Sequence, residues 1–82
     1  MKILSLTYGN PSSYSILEDG KIVYSKVYNN QENPFEEFKK ENEINDIRYF
    51  VTTFPYENLI KRNVSDYREM QHAAAINDGQ IY

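Results

Sequence analysis

Tyr14-Ser15-Ile16-Leu17-Glu18-Asp19-Gly20-Lys21-Ile22-Val23-Tyr24 is the stretch that decides the fold, because two β-patterned segments meet there at a dipeptide suited to a tight turn. A two-residue type I′ turn needs positive φ at both central residues, which Asp and Gly tolerate. The pattern predicts a hairpin with arms over Tyr14 to Glu18 and Lys21 to Tyr28. On the second arm Ile22, Tyr24 and Tyr28 are read onto one face, and Val23 and Val27 onto the other. Both faces then carry apolar side chains, so a helix is expected over one of them.

Working back from the hairpin, residues 2 to 8 alternate, with Leu4, Leu6 and Tyr8 on one side and Ile3, Ser5 and Thr7 on the other. That is the period of a half-buried strand. Gly9-Asn10-Pro11-Ser12-Ser13 then combines a conformationally free residue, a turn former and a proline without an N–H, so a turn is expected between this strand and the hairpin.

Working forward, Asn33 reads as a helix N-cap, Pro34 suits the first helical position, and Glu36 completes a capping-box-like pattern. The predicted helix runs to about Asn42, anchored by Phe35 and Phe38 with Ile44 on the same side, while Glu36, Glu37, Lys39 and Lys40 face water. Asp46 to Phe54 is rich in β-formers, with Tyr49, Val51 and Thr53 opposite Phe50, Thr52 and Phe54, and Pro55 ends it. Pro55 can open a short helical turn carrying Leu59 and Ile60, closed by Lys61 and Arg62. Ser65 is read as the cap of a last helix with Asp66 in its first turn, a stripe of Tyr67, Met70 and Ala74, and a stop at Asn77-Asp78-Gly79. Gln80-Ile81-Tyr82 either pairs with a sheet edge or frays. The expected fold is α+β: a small mixed sheet of about four strands with two to three helices, in the order βββαβα, as one domain over residues 1–82.

The chain has 82 residues, and a domain this small buries only roughly 60% of the surface its unfolded form exposes, so its core is thin. Hydrophobic residues make up 40% and aromatic residues 15%, which are values of a folded chain rather than a disordered one. Nine Lys and Arg stand against twelve Asp and Glu, for a formal charge of -3, and the basic residues are scattered apart from Lys39-Lys40 and Lys61-Arg62. Phosphate backbones call for a basic stripe, so no nucleic-acid partner is expected. There is no cysteine, which removes disulfides and thiolate chemistry. The opening Met1-Lys2-Ile3-Leu4-Ser5-Leu6 is too short an apolar run for a signal peptide or a membrane span, so a cytoplasmic chain without a membrane partner is expected. Asn63-Val64-Ser65 fits the glycosylation sequon, which has meaning only in a secreted chain.

Three stretches carry a family resemblance: Met1-Lys2-Ile3-Leu4 through Gly9, then Ser12-Ser13, then Ile16-Leu17-Glu18-Asp19-Gly20-Lys21-Ile22-Val23. They resemble the opening of the carbamoyltransferases that act on antibiotics and nodulation factors, members of the actin and sugar-kinase superfamily. In that family the catalytic domain begins with a strand, a small-residue loop and a hairpin through an Asp-Gly turn. His72-Ala73-Ala74-Ala75 resembles the histidine-alanine-alanine run that follows the family's first helix and fourth strand. The resemblance spans most of this chain but only the first lobe of proteins several times longer.

The departures fall where the chemistry would sit. Asn10 and Pro11 stand where the family commonly has a histidine and an acid. Arg68 and Glu69 stand where it carries further histidines that bind metal and carbamoyl phosphate. His72 with Glu69 at i, i+3 spacing cannot close a metal site, which needs three or four ligands from a wider frame. His72 therefore reads as a polar residue on an alanine-rich helix or, through the resemblance, as a remnant catalytic or metal ligand, with Glu69 as its weak companion.

The loop residues Gly9, Asn10, Ser12 and Ser13 read either as an ordinary turn, since no helix N-terminus or lysine is evident beside them, or, by likeness to the superfamily's phosphate loops, as anion-binding candidates, although Pro11 removes one donor. Eight tyrosines add a further candidate, since tyrosine is enriched in interface cores. Tyr14, Tyr24, Tyr28 and Tyr49 lie on predicted strands and are expected to line one sheet face together, some packed under the first helix and the rest forming a protein-binding surface. A free sheet edge also invites a second copy. The expectation is a non-catalytic protein-binding or regulatory module, a modulator or inhibitor of a larger protein, with no cofactor. The alternative is one lobe of a carbamoyl- or phosphoryl-transfer enzyme completed by a partner chain.

Overall fold

The computed structural model describes residues 1–29, 32–53 and 64–82. Strands β1 (Lys2–Thr7), β2 (Ser12–Glu18) and β3 (Lys21–Tyr28) come first, followed by helix α1 (Pro34–Glu41) and a 3-10 turn at Ile44–Asp46. Strand β4 (Ile47–Thr53), helix α2 (Val64–Ile76) and strand β5 (Gln80–Ile81) complete the order. The fold is α+β, and the described strands form a five-stranded mixed sheet ordered β3-β2-β1-β4-β5. The expected helical turn after Pro55 lies outside the described residues.

The hairpin forms where its dipeptide predicts. Asp19 and Gly20 take φ of 52° and 82°, the two left-handed residues that a type I′ turn requires. Strand β2 pairs antiparallel with both β1 and β3, while β1 pairs parallel with β4 and β4 parallel with β5. The fifth strand is a gain over the four expected: Tyr82 N–H donates to Phe50 O at 2.7 Å and Thr52 N–H to Tyr82 O at 3.0 Å. Gly79 makes that approach possible, because a Cβ there would collide with the Arg48 carbonyl. The left-handed residue of the α2 stop is Asp78, with φ of 54°, while Gly79 N–H closes the helix end on Ala74 O at 2.7 Å.

Strand alternation sends Leu4, Leu6 and Tyr8, with Tyr14, Ile16, Ile47 and Phe50, into one buried cluster. Phe35 and Phe38 of α1 and Met70, Ala73 and Ala74 of α2 fill the same cluster, so both described helices cover one face of the sheet. Ile44 packs against it from the 3-10 turn. Asn33 caps α1 as its sequence predicts, accepting from Phe35 N–H at 2.9 Å and Glu36 N–H at 3.2 Å. The Glu36 carboxylate pairs with Lys39 Nζ at 3.0 Å. Ser65 is the second residue of α2 rather than its cap, because the helix already includes Val64.

Two bulges reset the alternation. Tyr24 pairs with Ile16 but Ile22 with Leu17, which leaves Val23 as the extra residue and carries Ile22 to the face opposite Tyr24 and Tyr28. Strand period alone puts Ile22 with those tyrosines, and only pairing with β2 reveals the extra residue. In the same way Ile47 pairs with Lys2 and Tyr49 with Ile3, leaving Arg48 unpaired between them.

Candidate functional site

Below the carboxyl ends of β1 and β4, three elements meet at one carboxylate. Asp66, in the first turn of α2, is only 6% exposed. It accepts a hydrogen bond from Asn33 Nδ2 at 2.8 Å and one from Tyr8 Oη at 3.3 Å. Asn33 thus works at both ends, its oxygen capping α1 and its amide nitrogen holding α2. Burial raises the Tyr8 phenol well above its usual range, and the adjacent Asp66 carboxylate raises it further. A carboxylate satisfied by two donors and nearly sealed from water acts here as a tie between β1, α1 and α2. A second tie lies outside it, where Lys39 Nζ reaches Glu69 at 2.9 Å as well as Glu36. Burial works against the Lys39 charge, but the hydrogen bonds to Glu69 and Glu36 outweigh it and its pKa rises.

The residues singled out from the sequence are dispersed. Glu69 pairs with Lys39 rather than with His72, and His72 lies exposed on α2. Among the described residues, no three His, Cys, Asp or Glu side chains gather closely enough to hold a metal ion. Gly9, Asn10 and Pro11 form the turn after β1, but Ser12 and Ser13 already belong to β2. As successive strand residues they point to opposite faces, Ser12 fully buried and Ser13 half-buried, so their hydroxyls do not converge on one anion.

The four strand tyrosines do not share a face either. Tyr14 is 1% exposed and sits in the core, edge-on to Phe38 at 5.8 Å and beside Tyr24 and Tyr28 at 5.5 and 6.4 Å. It is a packing residue. Tyr28 is half-buried against the core, and Tyr24 is 39% exposed at its margin. Tyr49 stands on the opposite side of the sheet, near the Tyr82 ring at 6.1 Å, with the Arg48 guanidinium 5.3 Å from its centroid.

That opposite side is the surface which the tyrosine reading missed. By register it carries Ile3, Ser5 and Thr7 of β1, Ser13, Ser15 and Leu17 of β2, and Ile22, Ser25 and Val27 of β3. Tyr49, Val51 and Thr53 of β4 continue it. None of these positions is charged; Ser15 and Ser25 bond one another through their hydroxyls at 3.0 Å, and Arg48 lies at the margin. The signal was present in the sequence as Ile3-Ser5-Thr7 and Tyr49-Val51-Thr53, the less apolar halves of two alternating strands. No protein-family model matches the chain, and no curated protein matches it. Among the described residues no helix is long and apolar enough to cross a membrane.

Proposed function

We propose that this chain is a non-catalytic protein-binding module that docks through the open face of its sheet on an apolar helical element of a larger protein and modulates it. One observation carries the reading. Parallel strands are as a rule covered on both faces, yet both described helices lie on one side of the parallel β1–β4 pair, and the other side is uncharged across four strands. Depletion of charge is the mark of an interface centre, and an apolar helix is the usual cover for such a sheet.

The order of hairpin, helix, strand and helix supports a likeness to the first lobe of a carbamoyltransferase, while the dispersal of His72, Glu69, Ser12 and Ser13 supports a silent one. The test is capture of partners from native extract by the wild type and by Val51→Lys and Ser15→Lys variants, with cross-links mapped onto the chain. Loss of a partner in both folded variants, with cross-links on the uncharged face, is the expected result. A folded variant that keeps every partner sinks the reading. Titration of carbamoyl phosphate, ATP and a divalent cation separates the transferase-lobe alternative, which requires a rise in melting temperature that disappears in His72→Ala.

A further inference from the structure

A groove independent of the open face lies on the helix-covered side of the sheet, at the end where β1 and β4 begin and the hairpin turns. Its floor is Ile16, and Val23 and Tyr24 of β3 line it as well, Val23 55% exposed and Tyr24 39%. Its volume is about 260 Å³, below the roughly 300–1,000 Å³ of small-molecule sites, so it suits one long side chain. Two carboxylates join these apolar groups, Glu18 from the end of β2 and Glu41 from the last turn of α1. Past Ile16 and Lys2 the groove continues to Glu43 and Asp46.

The charge of the chain is concentrated here. Four carboxylates line the groove against the single ammonium of Lys2, an excess equal to the whole formal charge of -3. Lys2 and Lys21 are the strand neighbours of Glu18, yet among the described residues none of the four carboxylates forms an ion pair. Glu41 also stands against local preference, since the carboxyl end of a helix favours cations over anions. Apolar walls, an aromatic ring and unpaired carboxylates together complement a side chain with an aliphatic stem and a cationic head.

We propose that this groove docks an arginine of a basic peptide segment in a partner protein, its stem on Val23 and Tyr24 and its guanidinium shared by Glu18 and Glu41. The chain already builds such an arrangement within itself: Lys39 Nζ stands 4.6 Å from the Phe35 ring centroid, 3.0 Å from Glu36 and 2.9 Å from Glu69. Arginine is the cation that fits the groove, because a planar guanidinium stacks on a ring and meets carboxylates through paired donors, which an ammonium cannot do.

Fluorescence anisotropy of a labelled tetra-arginine peptide, titrated with the whole chain, tests the assignment. Saturable binding that weakens with added salt is expected. The double variant Glu18→Gln/Glu41→Gln should weaken it by about tenfold or more. Glu32→Gln/Asp78→Asn removes the same charge outside the groove and should change it by about twofold or less. Lys2→Gln, which takes away the competing ammonium, should tighten binding, so one variant moves the affinity upward. Tyr24→Ala should erase most of the advantage of tetra-arginine over a tetra-lysine peptide. Circular dichroism on each variant separates loss of fold from loss of binding. A wild type with no saturable binding overturns the proposal, as does equal weakening by the two double variants, which would make net charge the only determinant. A tetra-lysine peptide bound as tightly by the wild type overturns the assignment to arginine. None of these outcomes touches the open-face reading, whose variants lie at Val51 and Ser15.

Discussion

The two faces of one sheet are built from the same strands and differ in almost everything else. The covered face collects Leu4, Leu6, Tyr14, Ile16 and Phe50 under two helices, and the aromatic pair Phe35 and Phe38 closes it. The open face collects Ser5, Ser13, Ser15, Ser25 and Val51 and has no helix among the described residues. Period-two alternation makes both at once, since each residue sent to the core fixes the orientation of its neighbours. The difference places the core on one face and leaves uncharged positions on the other, so if the proposed docking face is right, substitutions should separate stability from partner capture.

The comparison is most sharply tested by Phe38→Ala, which removes a fully buried ring touching Tyr14 and should cost about 3–5 kcal/mol in chemical denaturation. For a chain this small, a cost of that size would unfold much of the population. Gly79→Ala should follow at roughly 1–3 kcal/mol, because the new Cβ meets backbone at Arg48 and the β4–β5 pairing must give way. Asp66→Ala leaves Tyr8 Oη and Asn33 Nδ2 without the carboxylate they share, and should cost about 1–3 kcal/mol. Protection of α2 amides from hydrogen exchange should fall with it.

Alkaline pH should weaken the covered side of the sheet. Tyr8 and Tyr14 are both held above the usual tyrosine range, chiefly by burial, so the folded state keeps protons that the unfolded state releases. Their contribution is complete below the unfolded phenol pKa of about 10 and is lost as pH climbs above it. Lys39, also raised, loses its contribution in the same direction as pH rises through its folded pKa. Melting temperature should therefore be level through neutral pH and fall above about 10, with a shallower fall in Tyr8→Phe. The smallest stability effect belongs to the open face: Val51→Lys should change unfolding free energy by about 0.5 kcal/mol or less while removing partner capture. A loss of several kcal/mol there would mean that the open face is part of the core, and the division between the faces would fail.

The legible parts were those governed by neighbours in sequence. The Asp19-Gly20 turn, the Asn33 cap with Pro34 behind it, and the alternation of Leu4, Leu6 and Tyr8 all depend on local backbone chemistry, and the structure places them as their patterns predict. The candidate site was far less legible. Tyr14, Tyr24, Tyr28 and Tyr49 looked alike as strand tyrosines, but a strand position has a face only relative to its partners. Asp66 looked like an ordinary first-turn acid, because its donors come from residues 33 and 58 positions away.

By itself, then, the sequence determined the turn, the Asn33 cap, the alternation of β1 and the α+β order, since each depends on φ preference, backbone donors or side-chain alternation over a few residues. Tertiary structure alone decided the rest. It set β1 parallel to β4, recruited Gln80 and Ile81 as a fifth strand, turned Ile22 over at a bulge, and drew Asp66 to Tyr8 and Asn33. Those outcomes depend on which strands meet and in what register, and that is fixed by burying one shared core rather than by any local preference.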